Sequence, residues 1–203
     1  MPAEPLASIP EIRLHRATPS SGLWRLEGDD APYWAWPWGG GLALARHLLD
    51  HPQITAGRRV LDLGAGSGLV GVAAALCGAR EVLAVDVEQQ AAAAMALNAA
   101  ANGVALTVLI QDLTDGEPPA ADLVLVGDLF YERALAERVT AFLDRCLAAG
   151  AEVLIGDPGR AWLPRGRLSR LADYPVGDFG NSEASGGDAS AVFRLEPAAR
   201  QRP

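Results

Sequence analysis

Apolar and polar positions alternate along this chain in short runs of two kinds. Val60–Leu63, Glu81–Val85, Val104–Ile110, Asp122–Val126 and Ala151–Ile155 are brief apolar stretches closed by Gly, Asp or Gln-Asp, the signature of buried strands. Before and between them lie longer alanine- and leucine-rich runs that read as helices: Leu42–Leu49, Ser67–Cys77, Glu88–Ala101 and Glu132–Ala148. Asn102-Gly103 ends the third of these as a C-cap would. Beyond residue 160 the pattern predicts a short basic helix over Leu163–Leu171, a sixth strand at Tyr174–Val176 and a seventh at Ala191–Leu195. Upstream, Leu23-Trp24-Arg25-Leu26 reads as a strand of a small hairpin, and Ile9, Ile12 and Leu14 as a short packed element. Gly180–Ser190 and residues 197–203 have the composition of mobile chain. The simplest division is one domain over 1–203, with an N-terminal extension (1–53), a core (54–196) and a tail (197–203).

The turn after the first of these strands carries the chemistry. Asp62-Leu63-Gly64-Ala65-Gly66-Ser67-Gly68 places glycines at alternate positions between a strand and a helix. Glycine lets the backbone approach a ligand, and the N–H groups opening the helix favour an anion. Gly66-x-Gly68-x-x-Gly71, with Asp86 downstream, also satisfies the dinucleotide fingerprint, but out of register: the residue directly after the strand is Gly64. Counted from Gly64 the pattern is Gly-x-Gly-x-Gly, with Asp62 inside the strand. A pyrophosphate has no use for that carboxylate, whereas an ammonium group has. S-adenosylmethionine offers one, together with a carboxylate, a ribose and an adenine.

At these residues the chain resembles the seven-strand, Rossmann-like methyltransferases. The resemblance implies a doubly wound, mostly parallel α/β sheet of seven strands with an antiparallel last strand. It also implies S-adenosylmethionine as cofactor, held by Asp62, Gly64, Ala65, Gly66 and Gly68. Asp86, directly after the second strand, is placed to accept from the ribose hydroxyls, or else to cap the following helix. Asp112 is placed for the adenine amine, with Val87 and Leu113 as apolar faces for the base.

The aromatic run Tyr33-Trp34-Ala35-Trp36-Pro37-Trp38-Gly39-Gly40-Gly41 is either a core plug or a wall of the cofactor pocket, with the glycines letting backbone come close. A Trp-Pro segment ahead of a helix resembles that of the family-16 methyltransferases, which assigns Trp36, and more weakly Trp38, to the methionine end of the cofactor. After the fourth strand, Gly127-Asp128-Leu129-Phe130-Tyr131 lacks the prolines of enzymes that clamp amides or base amines. An acid and an aromatic three positions later suit a cationic amine, unless Asp128 simply caps the helix that follows. Asp-x-x-Tyr is also a mark of the family-16 group, most of which modify protein lysines.

Ile155-Gly156-Asp157-Pro158-Gly159-Arg160, taken with the aromatic run, is similar to the lysine methyltransferases of the electron transfer flavoprotein β subunit, from about Trp34 to Arg160 and again near Val192–Leu195. That implies a protein-lysine N-methyltransferase acting on this flavoprotein subunit, with ribosomal proteins as a further substrate class. Asp128 and Tyr131 would be the catalytic pair, Gly127 would face the cofactor, and Arg160 would contact the protein substrate, unless the Asp-Pro-Gly-Arg segment is only a turn. The reaction needs a neutral lysine, and a carboxylate is too weak a base by about six pKa units. Asp128 therefore orients the amine, and the proton leaves through water after desolvation beside the sulfonium. The rival readings are a small-molecule N-methyltransferase of the nicotinamide or amine type and a non-catalytic S-adenosylmethionine-binding module.

Composition narrows the classes further. Over 203 residues, 50% are hydrophobic and 21% charged, as in a soluble globular chain, and no apolar run reaches membrane-spanning length uninterrupted. A net charge of −8 disfavours a nucleic-acid partner and suits a basic protein. All 17 basic residues are arginine, so the chain has no lysine side chain of its own to modify. Cys77 and Cys146 sit in apolar helical patterns and read as reduced cysteines of a cytoplasmic protein. His15, His47 and His51 show no metal-site spacing.

Overall fold

A computed structural model describes residues 2–15, 33–176 and 189–198. Two minimal strands, β1 (Glu4–Pro5) and β2 (Arg13–Leu14), pair antiparallel. A helical turn at Tyr33–Ala35 leads into α1 (Gly39–Asp50). Then follow β3 (Arg59–Leu63), α2 (Leu69–Leu76), β4 (Glu81–Asp86), α3 (Gln89–Ala101), β5 (Thr107–Ile110), β6 (Leu123–Gly127), α4 (Arg133–Ala148), β7 (Glu152–Asp157), β8 (Leu168–Tyr174) and β9 (Ser190–Leu195).

The main sheet has seven strands in the order β5-β4-β3-β6-β7-β9-β8. Parallel pairing runs from β5 through β7; β9 is antiparallel to both of its neighbours, so β8 runs with the rest. This is the doubly wound arrangement with one reversed strand that the sequence implies. The chain starts at β3, winds outward to β5, then returns to the other side of β3 with β6. The strand order thus reverses between β3 and β6, where sheets of this kind open a crevice at their carboxyl ends.

Period-two alternation builds two cores. In β6, Leu123 and Leu125 pack with Leu42, Leu44 and Leu48 of α1, while Val124 and Val126 pack with Val139, Phe142 and Leu143 of α4. Helix α1, assigned by sequence to the N-terminal extension, is thus part of the layer covering the sheet. The β1–β2 segment buries Leu6, Ile9, Ile12 and Leu14 in the same cluster. Asn98 of α3 and Asn102, its C-cap, hold it there: Asn102 Oδ1 accepts from Arg13 N at 2.9 Å and Asn98 Oδ1 from His15 N at 2.7 Å.

Three local expectations change. The helix expected over Leu163–Leu171 is a single 3-10 turn, Arg165–Arg167, followed by edge strand β8, which continues to Tyr174 and replaces the sixth strand expected at Tyr174–Val176. Leu, Arg and Ala there favour a helix locally, but pairing with β9 decides the outcome. The third strand begins at Thr107, not Val104, and α2 opens at Leu69, not Ser67, because Gly68 takes a left-handed φ of 79° as its N-cap. The hairpin expected at Leu23–Leu26 and nearly all of the Gly180–Ser190 segment lie outside the described residues.

Candidate active site

A cleft of about 1200 Å³ opens over the carboxyl ends of β3, β4 and β6. Of the residues singled out by sequence, it gathers Gly64, Gly66, Asp86, Val87, Asp112, Leu113, Gly127, Asp128, Tyr131 and Arg160. Trp36, Asp62, Ala65 and Gly68 do not line it.

The floor is the glycine loop. Gly64 (φ 68°) and Gly66 (φ 53°) are left-handed, and a Cβ on Gly64 would strike the Leu129 side chain at 2.6 Å. Ala65 N donates to Val85 O at 2.9 Å, which fixes the loop to β4 from behind. Asp86 completes it: Oδ2 accepts from Gly66 N at 2.7 Å and Oδ1 from Glu88 N at 3.0 Å. The acid proposed for a ribose thus also closes the loop, and each carboxylate oxygen keeps capacity for a further donor.

Asp62 faces the other way. It is 1% exposed, and its Oδ2 accepts from Gly71 N at 2.7 Å, inside the first turn of α2. Burial pushes its carboxyl up to about 7; the Gly71 N–H opposes that rise and the charge of Asp86 adds to it. It supports the glycine loop through α2 and does not itself line the cleft. Glycine suits position 71, since a Cβ there would stand 3.0 Å from that oxygen and 3.3 Å from Val82 Cγ1.

At the adenine end expected from sequence, Val87 is exposed and Leu113 buried, both on the cleft wall. Asp112 is more occupied than anticipated. Its Oδ1 accepts from Thr114 Oγ1 (2.6 Å) and N (2.8 Å), and its Oδ2 from Arg138 Nη1 (3.0 Å). The Thr114 hydroxyl, then its N–H and the Arg138 charge, hold this carboxyl below its ordinary range despite partial burial. Thr114 and Arg138 were missed because their relation to Asp112 needs a turn and a helix 26 residues away.

The aromatic segment is assigned differently by the structure. Trp36 is 8% exposed and packs with Ala35, Trp34 and Trp38; Trp34 and Trp38 are the ones on the cleft wall. Two-residue alternation through this stretch was the available signal. Gly40 serves close approach to the sheet: with Gly127 it lets α1 lie there, since a Cβ on Gly40 would stand 2.2 Å from Gly156 O, and one on Gly127 3.1 Å from Gly41 Cα.

The loop after β6 is set by two apolar anchors, fully buried Phe130 and Leu129 against Gly64. Between them and β6, Asp128 takes a φ of 59°, a left-handed conformation that Asp and Asn tolerate better than most residues. It does not cap α4, whose N-cap Glu132 makes no side-chain cap bond. Instead it caps α1, where Trp38 offers no capping side chain: Oδ2 accepts from Gly40 N at 2.5 Å and Gly41 N at 3.2 Å. Its Oδ1 accepts from Arg160 Nη2 (2.9 Å) and Nε (3.2 Å). Arg160 lies 5.9 Å from the Trp38 ring centroid. Asp157 Oδ1 accepts from Gly159 N and Arg160 N, both at 2.6 Å, so the Asp-Pro-Gly-Arg segment is a turn that also aims a cation. Tyr131 stands exposed at the mouth.

Taken together, the cleft presents a glycine-lined floor, an acid at each of two strand ends, apolar walls, and a carboxylate–aromatic pair at one mouth. Among the described residues no group of His, Cys, Asp or Glu is arranged to hold a metal, and no helix is long and apolar enough to cross a membrane.

The chain is similar to known methyltransferases. Residues 43–146 match the family model described as ribosomal protein L11 methyltransferase. The electron transfer flavoprotein beta subunit lysine methyltransferase of Danio rerio is 42% identical over 195 residues, covering 91% of this chain and 76% of that protein. The Homo sapiens protein of the same name is 37% identical over 198 residues, 93% and 76% of the two chains. Among solved structures, a ribosomal protein L11 methylase from Lactobacillus delbrueckii subsp. bulgaricus superposes with a TM-score of 0.55 at 20% identity, over 76% of this chain and 77% of that one.

Proposed function

The chain belongs to the family of electron transfer flavoprotein β subunit lysine methyltransferases and is a methyltransferase; on that premise we propose that it transfers a methyl group from S-adenosylmethionine to a lysine of this flavoprotein subunit. The observation that carries the proposal is the position of Asp128 and Tyr131 on the same cleft as the Gly64–Gly66 floor and Asp86. A cofactor lying along that floor and an amine entering past Tyr131 would share one space.

The residues present fit the cofactor. Gly64 and Gly66 leave backbone open where any Cβ would intrude or strain. Asp86 has acceptor capacity for ribose hydroxyls, and Val87 and Leu113 offer apolar faces for the base. Asp112 supports the adenine end with Thr114 and Arg138, and Trp34 and Trp38 wall the cleft in place of Trp36. When bound, the cofactor supplies an electrophilic methyl on a sulfonium. The protein's part is to bind, desolvate and aim the amine: Asp128 orients it, and the Tyr131 ring packs on the lysine stem. Both cysteines are free and buried, and burial pushes the Cys146 thiol up to about 11, which fits a reduced, cytoplasmic enzyme.

The test is mass spectrometry of purified flavoprotein β subunit after incubation with enzyme and cofactor. A gain of 14 Da steps on lysine, about one methyl each, is expected. Label appearing only in small molecules, or nowhere, overturns the reading. Because the enzyme has no lysine, self-modification of side chains cannot confuse the result.

A further inference from the structure

Arg160 is built into the cleft mouth. Two of its nitrogens converge on Asp128 Oδ1, its backbone N–H is held by Asp157 Oδ1, and its guanidinium lies beside the Trp38 ring. Asp157 is itself 1% exposed, and among the described residues its second carboxylate oxygen is buried without a hydrogen-bond partner. Its first oxygen holds the backbone N–H groups of Gly159 and Arg160, so the chain under Arg160 is fixed from below.

We propose that Arg160 governs the protonation state of the amine nucleophile: by engaging the Asp128 carboxylate with a permanent cation, it lets that carboxylate orient an amine without holding it as an ammonium. The inference rests on the lysine-methyltransferase reading above. A carboxylate left to itself favours the charged form of an adjacent lysine, and an ammonium has no lone pair to give. Here Oδ2 is taken up by the start of α1 and Oδ1 by Arg160. Arginine does not deprotonate, so its contribution persists at every working pH. In the step itself, the lysine first loses its proton to water. Its nitrogen lone pair then forms the N–C bond as the C–S bond breaks, and that electron pair stays on sulfur.

The other titratable groups facing this cleft are Asp86, Glu88, Asp112, Tyr131, Glu132 and Arg138. Asp112 is paired with Arg138, and Asp86 with two backbone N–H groups. Whatever these contribute, removing Arg160 takes away the positive charge bonded to Asp128. Arg160 is therefore a positioning residue for charge, acting through Asp128.

The experiment is the single-turnover rate against pH, at saturating S-adenosylmethionine and flavoprotein β subunit, for wild type, Arg160→Gln and Arg160→Lys. The wild-type acid limb should lie below the ~10.4 of free lysine. Arg160→Gln should move its midpoint up by about one pH unit, about a tenfold loss at neutral pH. Arg160→Lys keeps the charge below about pH 10, so its midpoint should lie nearer to wild type than that of Arg160→Gln, even at a lower plateau, and intact-mass spectra of the variant check that the introduced lysine is not itself methylated. Equal midpoints in wild type and Arg160→Gln, or Arg160→Lys shifted as far as Arg160→Gln below that pH, overturn the proposal. So does a wild-type limb at the free-lysine value, a result that needs no variant to fold. Absence of any methyl transfer by the wild type sinks the parent reading, and this one with it.

Discussion

Asp128 Oδ2 lies 2.5 Å from Gly40 N, so the acid at the cleft mouth is also the cap of helix α1. One carboxylate links the amine site, the start of α1 and, through Oδ1, the Arg160 turn. Asp128→Asn should keep the left-handed backbone, since Asn tolerates it, and retain an oxygen for Gly40. It loses the charge opposite Arg160. Turnover should fall by about 100-fold or more, with a stability cost of about 1–3 kcal/mol. Calorimetry should find cofactor affinity within about threefold of wild type. An equal loss of cofactor affinity would place Asp128 in the cofactor site instead.

The Gly40–Gly156 crossing makes a second prediction. A methyl on Gly40 would stand 2.2 Å from the Gly156 carbonyl oxygen and 2.5 Å from Asp128 Oδ2, both held by the sheet or its loop. Gly40→Ala should cost about 3 kcal/mol or more, despite its better helix propensity, and lower the melting temperature by about 6–12 °C. Gly41→Ala meets only Val70 Cγ2, at 3.9 Å, and should be far milder in a thermal melt. Similar melting temperatures for the two variants would contradict the packing described.

Asp86 has two duties, and a third variant separates them. Asp86→Ala removes both the proposed ribose acceptor and the clasp on Gly66 N, so cofactor affinity should drop by about 10–100-fold. Asp86→Asn keeps an oxygen for one duty only and should fall between wild type and alanine. Calorimetric affinities unchanged in Asp86→Ala would remove the ribose assignment.

How far the sequence disclosed this molecule depends on the range of the interaction. The strand–glycine–helix unit at Val60–Gly68 is local: apolar run, left-handed glycines and helix start lie within nine residues, and each leaves a mark in composition. The same is true of β4 with Asp86 and of β6 with its loop. Edge strand β8 was missed because its residues prefer a helix, and only its partner β9, distant in the chain, makes it a strand. The Asp128–Gly40 bond spans 88 residues, and no local pattern announces it. The glycine run at 39–41 was legible as a demand for close approach, but not as approach to the sheet. Family resemblance points to Trp36 ahead of Trp38, whereas the cleft-wall position of Trp34 depends on packing against Ala91 and Met95 of α3, far along the chain.

Asp62 yields the last prediction, one in which the sign of the pH dependence matters. Its carboxyl is enclosed in β3 and pushed up by burial to about 7. In the unfolded chain it ionises near ~4. Below that both states hold the proton, and the group contributes no pH dependence. Between about 4 and 7 the unfolded state is ionised while the folded state keeps its proton, so the native state loses stability as pH rises, levelling off above 7. Asp62→Asn cannot ionise and retains an oxygen for Gly71 N. Its melting temperature relative to wild type should therefore climb from pH 4 to about pH 7 and then level off, by at most about 4 kcal/mol in stability terms. Thermal melts of both proteins across that range test it. Melting curves that stay a constant distance apart would mean that Asp62 is ionised throughout, with a compensating cation the described residues do not supply. Because Asp62 stands behind the loop and off the cleft wall, this variant should weaken cofactor binding less than Asp86→Ala does. The reverse order would restore Asp62 as a direct ligand of the cofactor's ammonium group.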